Sequence, residues 1–124
     1  MSARVLSGID LVEIARFRAL NPAIRARFYQ RVFTQEERTY AGASLQRAAG
    51  LFAAKEAAVK ALGCGIGPVS WQEVRVRHDP GGLPSLDLQG AAAALAHKAG
   101  ITSWSLSITH TKELAAAVAV ALLD

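Results

Sequence analysis

Two periods divide the chain. From Leu11 to Gly63 apolar residues recur at three- and four-residue spacing, and from Trp71 onward they mostly alternate. The longest helical pattern runs from about Leu45 to Leu62. Its middle is nearly pure helix former, with Ala53, Ala54, Ala57, Ala58 and Ala61 set among Lys55, Glu56 and Lys60. On a helical period Leu45, Ala49, Phe52, Glu56 and Val59 share one stripe, which is expected to face the core. Glu56 is then a carboxylate in an apolar face, costly unless something positive meets it. Gly63 stops the helix, and Gly65, Gly67 and Pro68 follow in a glycine-rich exit loop. A structural reading is available for each feature: Glu56 can pair with Lys60 one turn on, and Gly63 can be a left-handed cap.

Upstream, Val5, Leu6 and Ile9 predict a short buried strand over 4–9, ended by Asp10. Leu11, Ile14 and Phe17 then take helical spacing, and Asp10 with Glu13 has the form of a capping box. Asn21-Pro22 starts a second helix as N-cap and first helical residue, with Ile24, Phe28 and Val32 inward and Arg25, Arg27 and Arg31 outward. Thr34 and Glu37 form another capping box before a third helix over Gln35 to about Ala43. Beyond Pro68, Trp71–Arg77 and Leu86–Leu88 alternate around Asp79-Pro80-Gly81-Gly82, which predicts a β-hairpin. Gly90–Ala99 reads as an alanine-rich helix. Trp104, Leu106, Ile108 and His110 mark one side of a strand, and Leu114–Leu123 returns as an antiparallel apolar strand. The fold class is α+β, helices packed on a mainly antiparallel sheet, in a single domain over 1–124.

Composition adds three points. Hydrophobic residues make up 52% of 124, a surplus that points weakly to burial against another subunit. The lone Cys64 excludes an internal disulfide framework and suits a reducing cytosol. No signal peptide opens the chain, and the longest apolar run, Leu114–Leu123, is too short to span a bilayer as a helix, so a cytoplasmic protein is expected. The net charge of +4 is unevenly placed. No acid falls between Glu13 and Glu36, while Arg16, Arg18, Arg25, Arg27 and Arg31 do, a patch for an anionic partner. A basic nucleic-acid module would explain the charge. It would leave Asp10, Glu56 and the glycine loop without a role, and the strands lack a row of aromatics for stacking bases.

Three stretches resemble the small-type 4′-phosphopantetheinyl transferases, the holo-acyl-carrier-protein synthase family: G-I-D-L-V-E-I-A-R-F at 8–17, F-A-A-K-E-A-A-V-K-A-L-G-C-G-I-G at 52–67 and S-I-T-H at 107–110. Their order and spacing match and account for the whole chain. The resemblance implies transfer of phosphopantetheine from coenzyme A to a serine of an acidic apo acyl carrier protein, releasing adenosine 3′,5′-bisphosphate. It implies Mg²⁺ bound through Asp10 and Glu56, a hard cation suited to carboxylates, phosphate oxygens and water. Lys60 and the amides of Gly63, Gly65 and Gly67 are then placed for phosphate, and His110 becomes a coenzyme A contact. Glu56, a metal-bound water and Lys60 all stand as candidates for taking the serine proton. Arg16 is the carrier-protein contact by motif position, with Arg25, Arg27 and Phe28 following it. The family is typically a homotrimer with sites between subunits. Two departures stand out: Leu51 where many relatives have arginine, with Arg47 one turn earlier as a substitute, and Cys64 where threonine is frequent.

Overall fold

A computed structural model describes residues 4–124. Five strands and five helices follow in the order β1 (Arg4–Glu13), α1 (Ile14–Ala19), α2 (Pro22–Val32), α3 (Gln35–Ala41), α4 (Leu45–Leu62), β2 (Val74–His78), β3 (Pro84–Leu88), α5 (Gly90–Lys98), β4 (Ile101–His110) and β5 (Leu114–Leu123). A 3₁₀ turn at Trp71–Glu73 leads into β2. The sheets are antiparallel: one has the order β1-β5-β4, and β2 and β3 form a separate hairpin. Among the described residues no helix is long and apolar enough to cross a membrane.

The local signals for helix ends hold. The Asn21 side chain accepts from Ile24 N with Pro22 in the first turn, and Thr34 and Glu37 form the reciprocal capping box. Gly63 closes α4 in the left-handed region at φ 73°. Three expectations about element ends fail. Asp10 does not end the first strand, because β1 pairs with β5 along its full length and Asp10 lies opposite Ala117. No Asp10–Glu13 capping box forms: Glu13 is the N-cap of α1 with no side-chain bond, and Ile14 N donates instead to Glu113 O at 2.9 Å. Residues 71–73 are a 3₁₀ turn rather than strand, closed by Ser70 and Glu73.

The α4 helix lies across the inner face of β1 and β5. Small residues line both sides of this seam, Ala53, Ala54, Ala57, Ala58 and Ala61 on the helix and Ala115, Ala117, Ala119 and Ala121 on β5, all buried. At Gly8 the backbones come so close that a Cβ would fall on the carbonyl oxygen of Ala57 and within 2.8 Å of Ala61 N. The helix is buried around most of its circumference, so the single stripe expected from its period is too narrow.

The fully buried charge on α4 is Lys55 rather than Glu56. Its Nζ lies 2.9 Å from Glu37 Oε1 and donates to Trp71 O at 2.9 Å and Val74 O at 2.8 Å. Glu37 in turn accepts from Thr34 N and Val76 N, both at 2.8 Å. All three ammonium protons are used, which is what permits a charge to sit there. Burial pushes the Lys55 pKa below the usual lysine value, and the Glu37 charge opposes that shift. Lys55→Met should therefore cost ~3–5 kcal/mol in urea unfolding, since it strands the Glu37 charge. Lys55→Met/Glu37→Gln should lose less than the single variant. A single-variant loss below ~1 kcal/mol would mean the pair is dispensable to the fold.

Candidate active site

The seam between β1 and α4 sets the geometry of the site. Gly8, Asp10 and Val12 share the helix-facing side of β1, so the strand seated at Gly8 carries the Asp10 carboxylate to the last turns of α4. There Lys60 Nζ lies 3.1 Å from Asp10 Oδ1 and 3.0 Å from Ile9 O. Asp10 is only 16% exposed and Lys60 is 52% exposed, so the lysine bridges from solvent to a sheltered acid.

Glu56 sits one turn before Lys60 and is half-buried. Burial raises its pKa above the ordinary glutamate value, the nearby Asp10 charge raises it further, and Lys60 opposes both. Lys60 is bonded to Asp10, and among the described residues Glu56 has no ion-pair partner within 4.0 Å. When both acids are ionised the cluster therefore keeps one excess negative charge. Among the described residues no three His, Cys, Asp or Glu side chains come together, so a metal here would rest on two carboxylates. Two carboxylates fit Mg²⁺, which would take phosphate oxygens and water as its remaining ligands.

A groove of about 470 Å³ opens beside the acids. Its walls join Asp10, Glu56 and Arg16 to the rings of Phe17, Phe28 and Phe52. The rings interlock, with Phe28 5.5 Å from Phe52 and edge-on to Phe17 at 5.6 Å. Arg16 and Arg27 are exposed. Arg25 departs from the expected outward position: its Nη1 turns in to donate to Phe17 O at 3.1 Å and holds the end of α1. Gly63, Gly65 and Gly67 follow Lys60 in an exposed loop with φ of 73°, 67° and 132°, a backbone only glycine adopts readily.

His110 is not part of this groove. It lies exposed at the end of β4, on the side of Leu106 but beyond the core. It lines a second cavity of about 290 Å³ with Tyr40, Gln46, Arg47, Leu51 and His78. Tyr40 and His78 stack at 3.8 Å with an interplanar angle of 11°. The Arg47 guanidinium lies 5.0 Å from the centre of the Tyr40 ring, and its Nη1 donates to Tyr40 O at 3.1 Å. Burial, then the Arg47 charge, push the His78 pKa down. Leu51 is 1% exposed and belongs to the core, whereas Arg47 one turn earlier reaches the cavity. Tyr40 and His78 carried no signal in sequence, because stacking partners 38 positions apart follow no local period.

The same architecture recurs in known proteins. The family model of the 4′-phosphopantetheinyl transferase superfamily matches residues 7–119. The holo-[acyl-carrier-protein] synthase of Beutenbergia cavernae is 48% identical over 92% of this chain and 94% of that protein. The enzyme of the same name from Solidesulfovibrio magneticus is 45% identical over 91% and 94%. Among solved structures, the Helicobacter pylori holo-[acyl-carrier-protein] synthase in complex with coenzyme A superposes with a TM-score of 0.84 at 32% identity, covering 94% of this chain and 99% of that one. The chain belongs to the 4′-phosphopantetheinyl transferase superfamily.

Glu56 offers a test independent of turnover. A carboxyl whose folded-state pKa is raised binds its proton more tightly folded than unfolded. Its contribution is thus favourable at low pH and is lost as pH rises from the unfolded value through the raised one. Glu56→Gln should therefore melt above the parent protein at neutral pH, and the gap should shrink as pH falls below the ordinary glutamate range. A lower melting temperature for Glu56→Gln at neutral pH would contradict the strained carboxylate.

Proposed function

We propose that the chain transfers 4′-phosphopantetheine from coenzyme A to a serine of an acidic apo acyl carrier protein, releasing adenosine 3′,5′-bisphosphate. Convergence of Asp10, Glu56 and Lys60 where the groove opens past Arg16 carries this reading. Family membership supports it, as does the coenzyme A complex of the Helicobacter pylori relative. The protein acts as one domain over 1–124, in the cytoplasm.

Asp10 and Glu56 would hold Mg²⁺, whose chemistry there is neutralisation of the pyrophosphate charge and Lewis-acid polarisation of its oxygens. The serine oxygen attacks the β-phosphorus, the bond from that phosphorus to the bridging oxygen breaks, and that oxygen leaves with the bisphosphate. Positioning and charge stabilisation dominate such a transfer. Lys60, oriented by Asp10 and the Ile9 carbonyl, offers positive charge at the mouth of the groove. Gly63, Gly65 and Gly67 let backbone amides approach a phosphate without a Cβ in the way. Glu56, the acid without a lysine partner, would receive the serine proton, with Lys60 and a metal-bound water as the other candidates. The carrier protein docks on α1 and α2, where Arg16 and Arg27 meet its acids and Phe28 lines the groove floor. Arg25 contributes mainly by fixing α1 through Phe17 O.

The second cavity takes the nucleotide end of coenzyme A from a neighbouring subunit. Arg47 and His110 supply cationic and hydrogen-bonding groups there, replacing the arginine that Leu51 lacks. One chain keeps these residues in a cavity separate from Asp10 and Glu56, which favours a site completed across an interface. The outer face of the larger sheet supports the same reading: Val5, Ile9 and Leu11 are 61–68% exposed, an apolar surface suited to a homotrimer.

Mass spectrometry of an apo carrier protein incubated with coenzyme A and Mg²⁺ should show addition of the phosphopantetheine mass. Asp10→Asn should abolish it with the fold retained, since Asp10 caps no helix and amide replaces carboxylate at nearly constant shape. Near-parental turnover for Asp10→Asn would defeat the metal assignment. The shared site makes a separate expectation. Glu56→Gln and His110→Ala should each be impaired alone, and mixed subunits should recover activity by pairing one intact groove with one intact cavity. Mixtures no better than the sum of their parts would place His110 outside the site.

A further inference from the structure

The helix that presents Arg27 and Phe28 packs on the core through one side only, chiefly Phe28, Tyr29 and Val32. Of its residues only Val32 is buried, and Ile24, expected inward, is 43% exposed. Its main neighbour among the elements is the 3₁₀ turn Trp71–Glu73. Its C-terminus also lacks the usual glycine closure: Phe33, the C-cap, is extended at φ −106°, ψ 140°. Terminal carbonyls left in that way need outside donors. The Gln72 side-chain amide supplies one to Gln30 O, with Nε2 at 2.7 Å, and reaches Phe33 O at 3.1 Å, a carbonyl that also accepts from Arg38 Nη1.

The turn that carries Gln72 is itself fixed on both flanks. Lys55 takes the carbonyls of Trp71 and Val74 from beneath, and Glu73 accepts from Ser70 N at 2.8 Å and Ala91 N at 2.7 Å. From the same turn the Trp71 ring packs on Phe52 at 5.2 Å, and Phe52 meets Phe28 in the groove wall. The turn therefore grips α2 twice, through its last carbonyls and through Phe28. Gln72 is exposed, so the hydrophobic core does not account for it.

We propose that Gln72 is a positioning residue for the acceptor protein: its amide fixes the end of α2 on the α4 framework and so sets the Arg27–Phe28 face beside the Asp10–Glu56 groove. The proposal rests on the reading that the carrier protein docks on α1 and α2. Gln72 touches neither substrate, and its effect is on acceptor recognition rather than on the transfer step.

The test uses the full chain with coenzyme A, Mg²⁺ and an apo acyl carrier protein. Gln72→Met keeps the length of the side chain and removes both donors. It should raise the acceptor KM about fivefold, the scale of one or two net hydrogen bonds. The coenzyme A KM, kcat and melting temperature should change little, and amide exchange over residues 29–33 should quicken while that of α4 holds. Arg16→Glu and Arg27→Glu, measured alongside, separate the docking surface from its brace. If they raise the acceptor KM and Gln72→Met does not, the brace is refuted and the docking surface stands. If none of the three raises it, the docking surface fails and the brace with it. A rise of both KM values together would overturn the proposal by showing that Gln72 serves the whole fold.

Discussion

The site depends on how closely the backbone of β1 lies on α4 at Gly8. A side chain of any size there would collide with the Ala57 carbonyl, and the alanines along the seam keep the strand and helix close on either side. Two residues beyond Gly8 the same strand delivers Asp10, and one turn beyond Ala57's neighbour Glu56 the same helix delivers Lys60. Like charges are thereby held together in a partly dry place, which costs free energy in the protein alone. Active sites commonly carry such a cost, because the strained groups are the ones a substrate or ion relieves.

The other side of α4 answers a different need. Lys55 points away from the groove into a fully satisfied buried network with Glu37, Trp71 and Val74. Neighbours in sequence, Lys55 and Glu56 thus divide structure from chemistry. One clamps the helix to α3 and the β2 hairpin, and the other is left short of partners at the groove. The aromatic cluster of Phe17, Phe28 and Phe52 joins the two sides, since Phe52 touches both the groove and Trp71.

Much of this was legible in sequence where the physics is local. The bounds of α4, the Thr34–Glu37 capping box, the Asn21-Pro22 helix start and the β4–β5 antiparallel pair follow from propensity, caps and alternation. Misreadings arose where a distant partner decides. Asp10 looks like a helix cap by spacing, yet β5 pairs with the strand through Glu13 and carries it past that point. Glu56 reads as the buried charge when a single stripe is taken to face the core. With sheet on one side and hairpin on the other, Lys55 is the deeper residue. Tyr40, His78 and Gln72 were invisible for the same reason, their partners lying far along the chain. Separation of His110 from the acids likewise needed three dimensions, since the motifs suggest one site and the chain forms two cavities.

The central claim is that this strand–helix contact holds two carboxylates together for a divalent cation. An NMR titration of the Glu56 carboxyl carbon, with and without Mg²⁺ and in Asp10→Asn, tests it most directly. The account predicts a pKa above the ordinary glutamate value in the free protein, a fall when Mg²⁺ is added and a fall when the Asp10 charge is removed. An ordinary Glu56 titration, indifferent to both Mg²⁺ and Asp10→Asn, would contradict it.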